Sequence, residues 1–213
     1  MNALTESVAR ERIVLHGESL HLRGYVPGSS GNISTRIADG ILVSPTDSCL
    51  GRLDPARIAK LDLNGKHVSG DPPSKEAFLH ALFYSSRKTA EAVVHLHCTH
   101  AVAISCRSDL DVHRPIAPLT PYFVMKVGRL KVLPYFPPGE EALAHAVEAV
   151  ATRHHAILLA NHGPVVAGTS IDSAVYAIEE LEEAAKLQLM LEGRAVRGLT
   201  ADEVSDLEQR FPS

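Results

Sequence analysis

Two histidines separated by one residue are the first feature of this sequence with a clear chemical use. His95 and His97 stand in the run HLHCTH, at the end of an apolar segment (92–97) that predicts a buried strand. Residues two apart on a strand point to the same face, so the two imidazoles can share one cation. The pattern equally fits histidines on a solvated strand face or in a core, and the pair alone does not decide between these. His100 falls in the first turn of the next predicted helix, where it could support the pair or contact a substrate.

His162 is the candidate for a third ligand. It follows the apolar run 157–160 and precedes Gly163, at the end of a predicted strand, where α/β proteins commonly place their active sites. Three imidazoles leave a metal with open positions for substrate, as in catalytic zinc sites. Imidazole suits Zn²⁺ best, while Mn²⁺, Co²⁺ and Fe²⁺ remain alternatives.

A carboxylate and several anion-binding segments accompany the histidines. Glu76 follows two prolines and Ser74, which is the predicted cap of a helix. A carboxylate in a first helical turn also complements the helix dipole, so Glu76 alone does not prove catalysis. Hydroxyls, free backbone N–H groups and a helix start together suit a phosphate group. The candidates are Ser29 to Asn32, Ser44 with Thr46, and Ser74 with Lys75. None forms a Walker motif, so nucleotide binding is not indicated.

The composition excludes several classes of function. The 213 residues carry a net charge of -4 with no cluster of lysine and arginine, so a nucleic-acid partner has no electrostatic support. No apolar stretch is long enough to span a membrane, and the charged first fifteen residues do not resemble a signal peptide. Three cysteines without paired spacing indicate a reducing cytoplasm. We find no repeat or linker and expect a single domain over residues 1–213.

The pattern of apolar residues predicts helices and strands that alternate along the chain, which is typical of an α/β fold. A first helix is expected to end before Gly24, and Ser170 is expected to cap a long amphipathic helix. Thr99 is the predicted cap of a short helix. Turns at Asp39-Gly40 and Asn64-Gly65 indicate hairpins. Further strands are predicted at 33–37, 41–44, 92–97, 130–133, 156–160 and 164–167, and further helices at 77–87, 99–106 and 140–152.

The ordered motifs SSGN, SPT, PSKE, HLHCTH and ANHG resemble the class II aldolase and adducin head family, over about Glu11 to Leu191. Within the family, SGDPPSKEAFLHALFY, VVHLHCTHAVAISC, PLTPYFVMKVGRL and LLANHGPVVAG are more similar to bacterial 3-oxo-tetronate 4-phosphate decarboxylases than to aldolases. The resemblance implies a three-layer α/β/α fold with a central, mainly antiparallel sheet. It also implies a homotetramer with active sites at subunit interfaces.

The resemblance assigns roles to particular residues. It implies that the metal ligands are His95, His97 and His162, and that Glu76 is a catalytic acid/base that also reaches the metal. It makes Tyr122 a proton donor that extends into a neighbouring subunit. It implies phosphate contacts from Gly31, Asn32, Ser44, Thr46 and Ser74.

Two positions depart from the aldolase pattern. Lys75 stands where a second serine is usual, and Asn161 stands where many aldolases have another histidine. Lys75 could pair with a substrate phosphate or carboxylate, which argues against a pure aldolase.

The activity implied is decarboxylation of a small phosphorylated sugar acid, 3-oxo-tetronate 4-phosphate, to dihydroxyacetone phosphate and CO₂ through an enediolate that the metal stabilises. A class II sugar-phosphate aldolase similar to fuculose-phosphate aldolase, or an epimerase, is the alternative. The short, polar segment after Leu191 disfavours the epimerase. A non-catalytic adducin-like interaction module is disfavoured because the three histidines and Glu76 are retained. The sequence leaves open the metal, the substrate stereochemistry and the roles of His100, His113 and Lys75.

Overall fold

The computed structural model describes residues 5–137 and 140–211. Within these ranges the strands are β1 (Asn32–Ile37), β2 (Gly40–Val43), β3 (Ala59–Leu61), β4 (His67–Ser69), β5 (Ala92–His95), β6 (Lys131–Leu133), β7 (Ala156–Leu159) and β8 (Gly163–Gly168). They form one sheet in the order β4-β3-β2-β1-β5-β8-β7-β6. Neighbouring strands are antiparallel except β6 and β7, which are parallel. The expectation of a mainly antiparallel sheet in an α/β protein is confirmed.

Helices cover both faces of the sheet. In the described ranges they are α1 (Glu6–Leu22), α2 (Ala77–Ser86), α3 (Thr99–Ser105), α4 (Pro121–Lys126), α5 (Glu141–Ala151), α6 (Ile171–Met190) and α7 (Ala201–Arg210). Successive strand residues point to opposite faces, so Val94 joins the core beneath α1, α3 and α6, whereas Val93 joins the core beneath α2 and α5. None of the helices in the described ranges has the length and apolar character needed to cross a membrane.

Several predicted element boundaries are confirmed. Helix α1 ends just before Gly24, whose φ of +78° is the left-handed conformation that suits glycine. Ser170 caps α6, and its side chain and that of Ser173 each bond to the other residue's backbone N–H. The Asn64-Gly65 turn lies between β3 and β4, as predicted.

Two helix caps were predicted wrongly. The residue before α2 is Glu76, not Ser74; Ser74 begins the turn that precedes the helix, where its carbonyl oxygen accepts from Ala77 N and its hydroxyl from Glu76 N. Helix α3 begins at Thr99 rather than being capped by it. The carboxylate of Glu182, on α6, instead accepts hydrogen bonds from the free N–H groups of this helix start.

The segment around the HxH pair also differs from the prediction. The strand ends at His95, which pairs with Val165, because the next residue of β8 is Pro164, which has no N–H to donate to the ladder. His97 therefore lies two residues past the strand end. Helices α4 and α7 were not predicted, since α4 has only six residues and α7 has few apolar residues.

Candidate metal centre

Four side chains with metal-binding atoms converge where several elements begin or end. The ligand atoms of Glu76, His95, His97 and His162 all lie within 4.8 Å of one another. Glu76 immediately precedes α2, His95 ends β5, and His162 lies in the turn between β7 and β8. The sequence-predicted ligand set is thus brought together from segments up to 86 residues apart.

The distances within the cluster suit a shared cation. His95 Nε2 lies 3.0 Å from His97 Nε2 and 3.4 Å from Glu76 Oε2, and His162 Nε2 lies 3.1 Å from Glu76 Oε1. The centroids of the three imidazole rings are 4.7 to 4.8 Å apart, with the rings edge to face. The ring nitrogens therefore point at a common centre and the rings do not stack.

His95 is held in one tautomer. Its Nδ1 lies 2.9 Å from the backbone carbonyl oxygen of Pro164, so Nδ1 carries the proton and Nε2 presents a lone pair to the cluster. Complete burial lowers the pKa of His95 to about 4, an effect that the charge of Glu76 only partly offsets. Burial, and then the charge of His162, lower the pKa of His97 as well. Both imidazoles are therefore neutral near pH 7, as metal ligation requires.

The turn that carries His162 depends on its neighbours. Asn161 has a φ of +57°, a conformation that asparagine tolerates better than most residues. Gly163 has a φ of +144°, and a Cβ there would lie 2.4 Å from the backbone oxygen of Leu96. The backbone before His97 thus passes against Gly163, which explains why glycine follows His162.

Glu76 is also oriented by a group outside the histidine cluster. Asn32 Nδ2 donates a 2.8 Å hydrogen bond to Glu76 Oε2. Burial raises the pKa of Glu76, but the hydrogen bonds with His162 and Asn32 outweigh it and hold that pKa well below its usual range. The carboxylate is therefore ionised and available either to a cation or to a proton.

A buried row of polar groups continues behind Asn32. His80 Nε2 lies 2.5 Å from Asn32 Oδ1, and its Nδ1 lies 2.6 Å from Ser34 Oγ. Ser34 Oγ lies 2.7 Å from the hydroxyl of Tyr84. Sequence reasoning missed these residues, although two signals pointed to them. His80 lies four residues after Glu76, and Ser34 lies two residues after Asn32 on the same strand face.

The predicted phosphate contacts lie beside one another. Ser74 N donates to the backbone oxygen of Ser44, and Thr46 N donates to that of Pro72, so the loop after β2 lies along the segment before α2. The Ser44 hydroxyl is fully buried and accepts from Ile33 N, next to Asn32. Ser44 therefore supports this segment from inside.

The other phosphate candidates differ in exposure. Thr46 and Ser74 are half-buried and Lys75 is exposed. Gly31, at a φ of +75°, lies against the backbone oxygen of His95. The structure thus places four of the candidates at the end of the strands where the histidine cluster also lies: Gly31, Thr46, Ser74 and Lys75.

Tyr122, His100 and His113 are not part of the four-residue cluster. Tyr122 is 60% exposed on α4. The backbone N–H and Nδ1 of His100 both bond to the buried carboxylate of Glu182, at 2.9 and 2.7 Å, so its ring orientation is fixed. His113 lies exposed in the loop before α4.

Comparison with known proteins gives a consistent result. The family profile described as Class II Aldolase and Adducin N-terminal domain matches residues 11–189. The 3-oxo-tetronate 4-phosphate decarboxylase of Pectobacterium atrosepticum is 46% identical over 204 residues, which are 95% of this chain and 94% of that protein. The L-fuculose phosphate aldolase of Escherichia coli is 34% identical over 168 residues, 78% of this chain and 75% of that one. The crystal structure of YgbL from Klebsiella pneumoniae matches with a TM-score of 0.93 at 46% identity, and covers 96% of this chain and 99% of its own.

Proposed function

Because this chain belongs to the class II aldolase and adducin N-terminal domain family, we propose that it is a divalent-metal-dependent carboxy-lyase that converts 3-oxo-tetronate 4-phosphate to dihydroxyacetone phosphate and CO₂. Five relatives that carry the decarboxylase name are 45–46% identical over 93–97% of the chain. The structural observation that carries the proposal is the cluster of Glu76, His95, His97 and His162, because it joins a cation site to an acid/base group.

The dimensions of the cluster fit Zn²⁺. Zinc–nitrogen bonds are about 2.1 Å long, so donor atoms around a tetrahedral ion lie about 3.4 Å apart. The measured separations of 3.0, 3.1 and 3.4 Å are close to that spacing. His95, His97 and His162 would hold the ion, with Glu76 able to reach it. When bound, the cation supplies Lewis-acid stabilisation of negative charge on the substrate oxygens.

The protein's own groups account for the movement of protons. The substrate is a β-keto acid with a hydroxyl on C2 and a ketone at C3. Ionised Glu76 accepts the proton of the C2 hydroxyl, and the C1–C2 bond then breaks as CO₂ leaves. The electron pair of that bond forms the enediolate between C2 and C3. Glu76 returns its proton to C2, and one proton from solvent restores the hydroxyl of dihydroxyacetone phosphate.

The adjoining segments would anchor the far end of the substrate. Gly31, Thr46 and Ser74 offer backbone N–H groups or hydroxyls, and Lys75 adds a positive charge beside them. Binding the phosphate there fixes the position of C1 and C2 relative to Glu76, which lowers the entropic part of the barrier.

A sugar-phosphate aldolase is the second candidate. It is favoured by the same cluster and by the 34% identity to L-fuculose phosphate aldolase. An aldolase passes through the same enediolate, so the site alone does not separate the two activities. The higher identity to the decarboxylases supports our choice.

We also propose a cytoplasmic homotetramer in which Tyr122 enters the active site of a neighbouring subunit. The support is the 60% exposure of Tyr122 on α4 and the three free cysteines among the described residues. Light scattering coupled to size exclusion measures the assembly directly, and a monomeric, fully active protein would refute this part.

The central test is release of dihydroxyacetone phosphate from 3-oxo-tetronate 4-phosphate, measured with and without a chelator. We expect chelator-sensitive release, loss of both metal and activity in His95→Ala, and loss of turnover with retained metal in Glu76→Gln. His67→Ala, an exposed histidine on edge strand β4, is the matched control and stays active. No release, with cleavage of fuculose 1-phosphate instead, would move the protein to the aldolases. Normal activity in either site variant would refute the proposed site.

A further inference from the structure

The buried hydrogen bonds behind Glu76 allow a single arrangement of protons. Ionised Glu76 only accepts hydrogen bonds, so Asn32 turns its NH₂ group to the carboxylate, at 2.8 Å. The amide oxygen of Asn32 then faces His80 Nε2, at 2.5 Å, and that nitrogen must donate. His80 is fully buried, which lowers its pKa to about 3, so the ring is neutral and its Nδ1 must accept. Ser34 therefore donates to His80 and accepts from the Tyr84 hydroxyl.

Packing alone does not choose this orientation of Asn32. The two ends of a side-chain amide are almost equal in size, so either end fits the same space. In the reversed orientation, two acceptors, the amide oxygen and the Glu76 carboxylate, would face each other across the same 2.8 Å. The ionised Glu76 carboxylate and the N–H of His80 Nε2 both distinguish the two ends, and of the two only His80 keeps the same requirement when Glu76 takes up a proton.

We propose that His80 is a positioning residue that fixes the Asn32 amide and thereby holds the Glu76 carboxylate in the orientation needed for proton transfer. Ser34 and Tyr84 act one step further back, because the Ser34 hydroxyl donates to Nδ1, the His80 nitrogen that carries no proton. The role in turnover rests on the proposed function, whereas the orientation of the amide does not.

His80→Leu and His80→Gln form a matched pair for the test. Leucine has a similar volume but no donor, whereas glutamine places an amide NH₂ near the position of Nε2. In His80→Leu we expect kcat to fall about 10- to 100-fold, the effect of losing a hydrogen bond to a charged group. KM and the zinc content of the purified protein should stay within about twofold of the wild type, because the phosphate contacts and the histidine cluster are unchanged. His80→Gln should recover most of the lost kcat.

Nitrogen-15 NMR of the zinc-loaded wild type gives a readout that is independent of activity. We expect the His80 ring to carry its proton on Nε2, with the His80→Gln spectrum identifying the signals. If His80→Leu does not fold, Ser34→Ala/Tyr84→Phe replaces it, since Nδ1 of His80 then loses its hydrogen-bond donor. That double variant should keep the proton on Nε2, which still faces the Asn32 oxygen, and lower kcat about fivefold, the effect of one neutral hydrogen bond.

Four results would overturn the inference: wild-type kcat in folded His80→Leu, equal loss in the Leu and Gln variants, a raised KM with unchanged kcat, or a wild-type His80 protonated on Nδ1. In the double variant, an unchanged kcat would overturn it as well. If the wild type does not decarboxylate the sugar acid at all, the proposed function fails. The tautomer of His80 still decides the orientation of the amide in that case.

Discussion

Replacing Gly163 with alanine should damage the metal site without touching any ligand. A Cβ at this position would lie 2.4 Å from the backbone oxygen of Leu96. The backbone segments that contain Gly163 and Leu96 would have to separate by about 0.6 Å to reach a tolerable contact. His162 precedes this glycine and His97 follows Leu96, so the separation moves two ligands apart. Ligand distances in metal sites tolerate only about 0.2 Å. We therefore expect zinc affinity to fall at least about tenfold, within the range seen when groups supporting a ligand are removed.

The free energy of unfolding should change as well. The φ of +144° at Gly163 is rarely adopted by alanine, which adds strain of about 1–3 kcal/mol to the cost of the close contact. Gly193→Ala is the matched control, since Gly193 has a φ of +73° with nothing within 4 Å of a new Cβ. It should lose about 1–2 kcal/mol from backbone strain alone and keep its zinc affinity.

Zinc affinity is measured by competition with a chromogenic chelator, and stability by urea unfolding of the metal-free protein. If Gly163→Ala binds zinc as tightly as Gly193→Ala and unfolds at the same urea concentration, the close packing of the turn against Leu96 does not position the ligands. The reasoning about the turn would then be wrong.

Three further predictions concern other parts of the site. His80 takes up a proton near pH 6.5 in the unfolded state but only near pH 3 in the folded state, because burial lowers its pKa. The free energy of unfolding should therefore fall as the pH drops below 6.5. By pH 5, urea titrations should show that this free energy has fallen by about 2 kcal/mol more in the wild type than in His80→Gln. Glu182→Gln should lower stability by about 1–3 kcal/mol in thermal melts, since a buried carboxylate that caps α3 is replaced by an amide. The control Glu183→Gln, at a half-exposed neighbour, should change stability by less than about 0.5 kcal/mol. Equal effects of the two substitutions would contradict the capping role. Tyr122→Phe should lower kcat about 100-fold or more while the metal content and the assembly stay intact. Tyr135 is equally exposed, and Tyr135→Phe should leave kcat unchanged. Unchanged turnover in Tyr122→Phe would show that Tyr122 has no part in the mechanism.

The sequence predicted the parts of the molecule that depend on residue type and short spacing. His95, His97 and His162 were candidate ligands from the HxH spacing and from a histidine at a predicted strand end, and the resemblance to the family favoured the metal-binding interpretation. Ser170 was identified because a serine precedes the first turn of an amphipathic helix. Both predictions start from patterns that are visible in a short stretch of sequence.

The features that were missed depend on contacts between distant segments. Glu182 caps α3 from more than 80 residues away, and no local pattern distinguishes it from the other glutamates of α6. The hydrogen bond between Asn32 and Glu76 joins residues 44 positions apart, and it shows that the side chain of Asn32 supports Glu76. The resemblance implies a phosphate contact, whereas in the structure both ends of the almost fully buried side chain bond within the protein, to Glu76 and to His80.

The pairing of the strands explains why the residues of the candidate site lie together at one end of the strands. Antiparallel neighbours place the start of one strand beside the end of the next. Asn32 at the start of β1 therefore pairs with His95 at the end of β5, and the loop after β2 returns beside Asn32 with Ser44. Strand β8 runs antiparallel to β5, so His162, which lies just before the start of β8, is at the same end of the strands. Once the strand order is known, the alternation of starts and ends predicts which turns share the site. At the opposite end of the strands, the exposed turn residues Ala38 and Asp39 are expected to tolerate substitution without loss of metal or turnover.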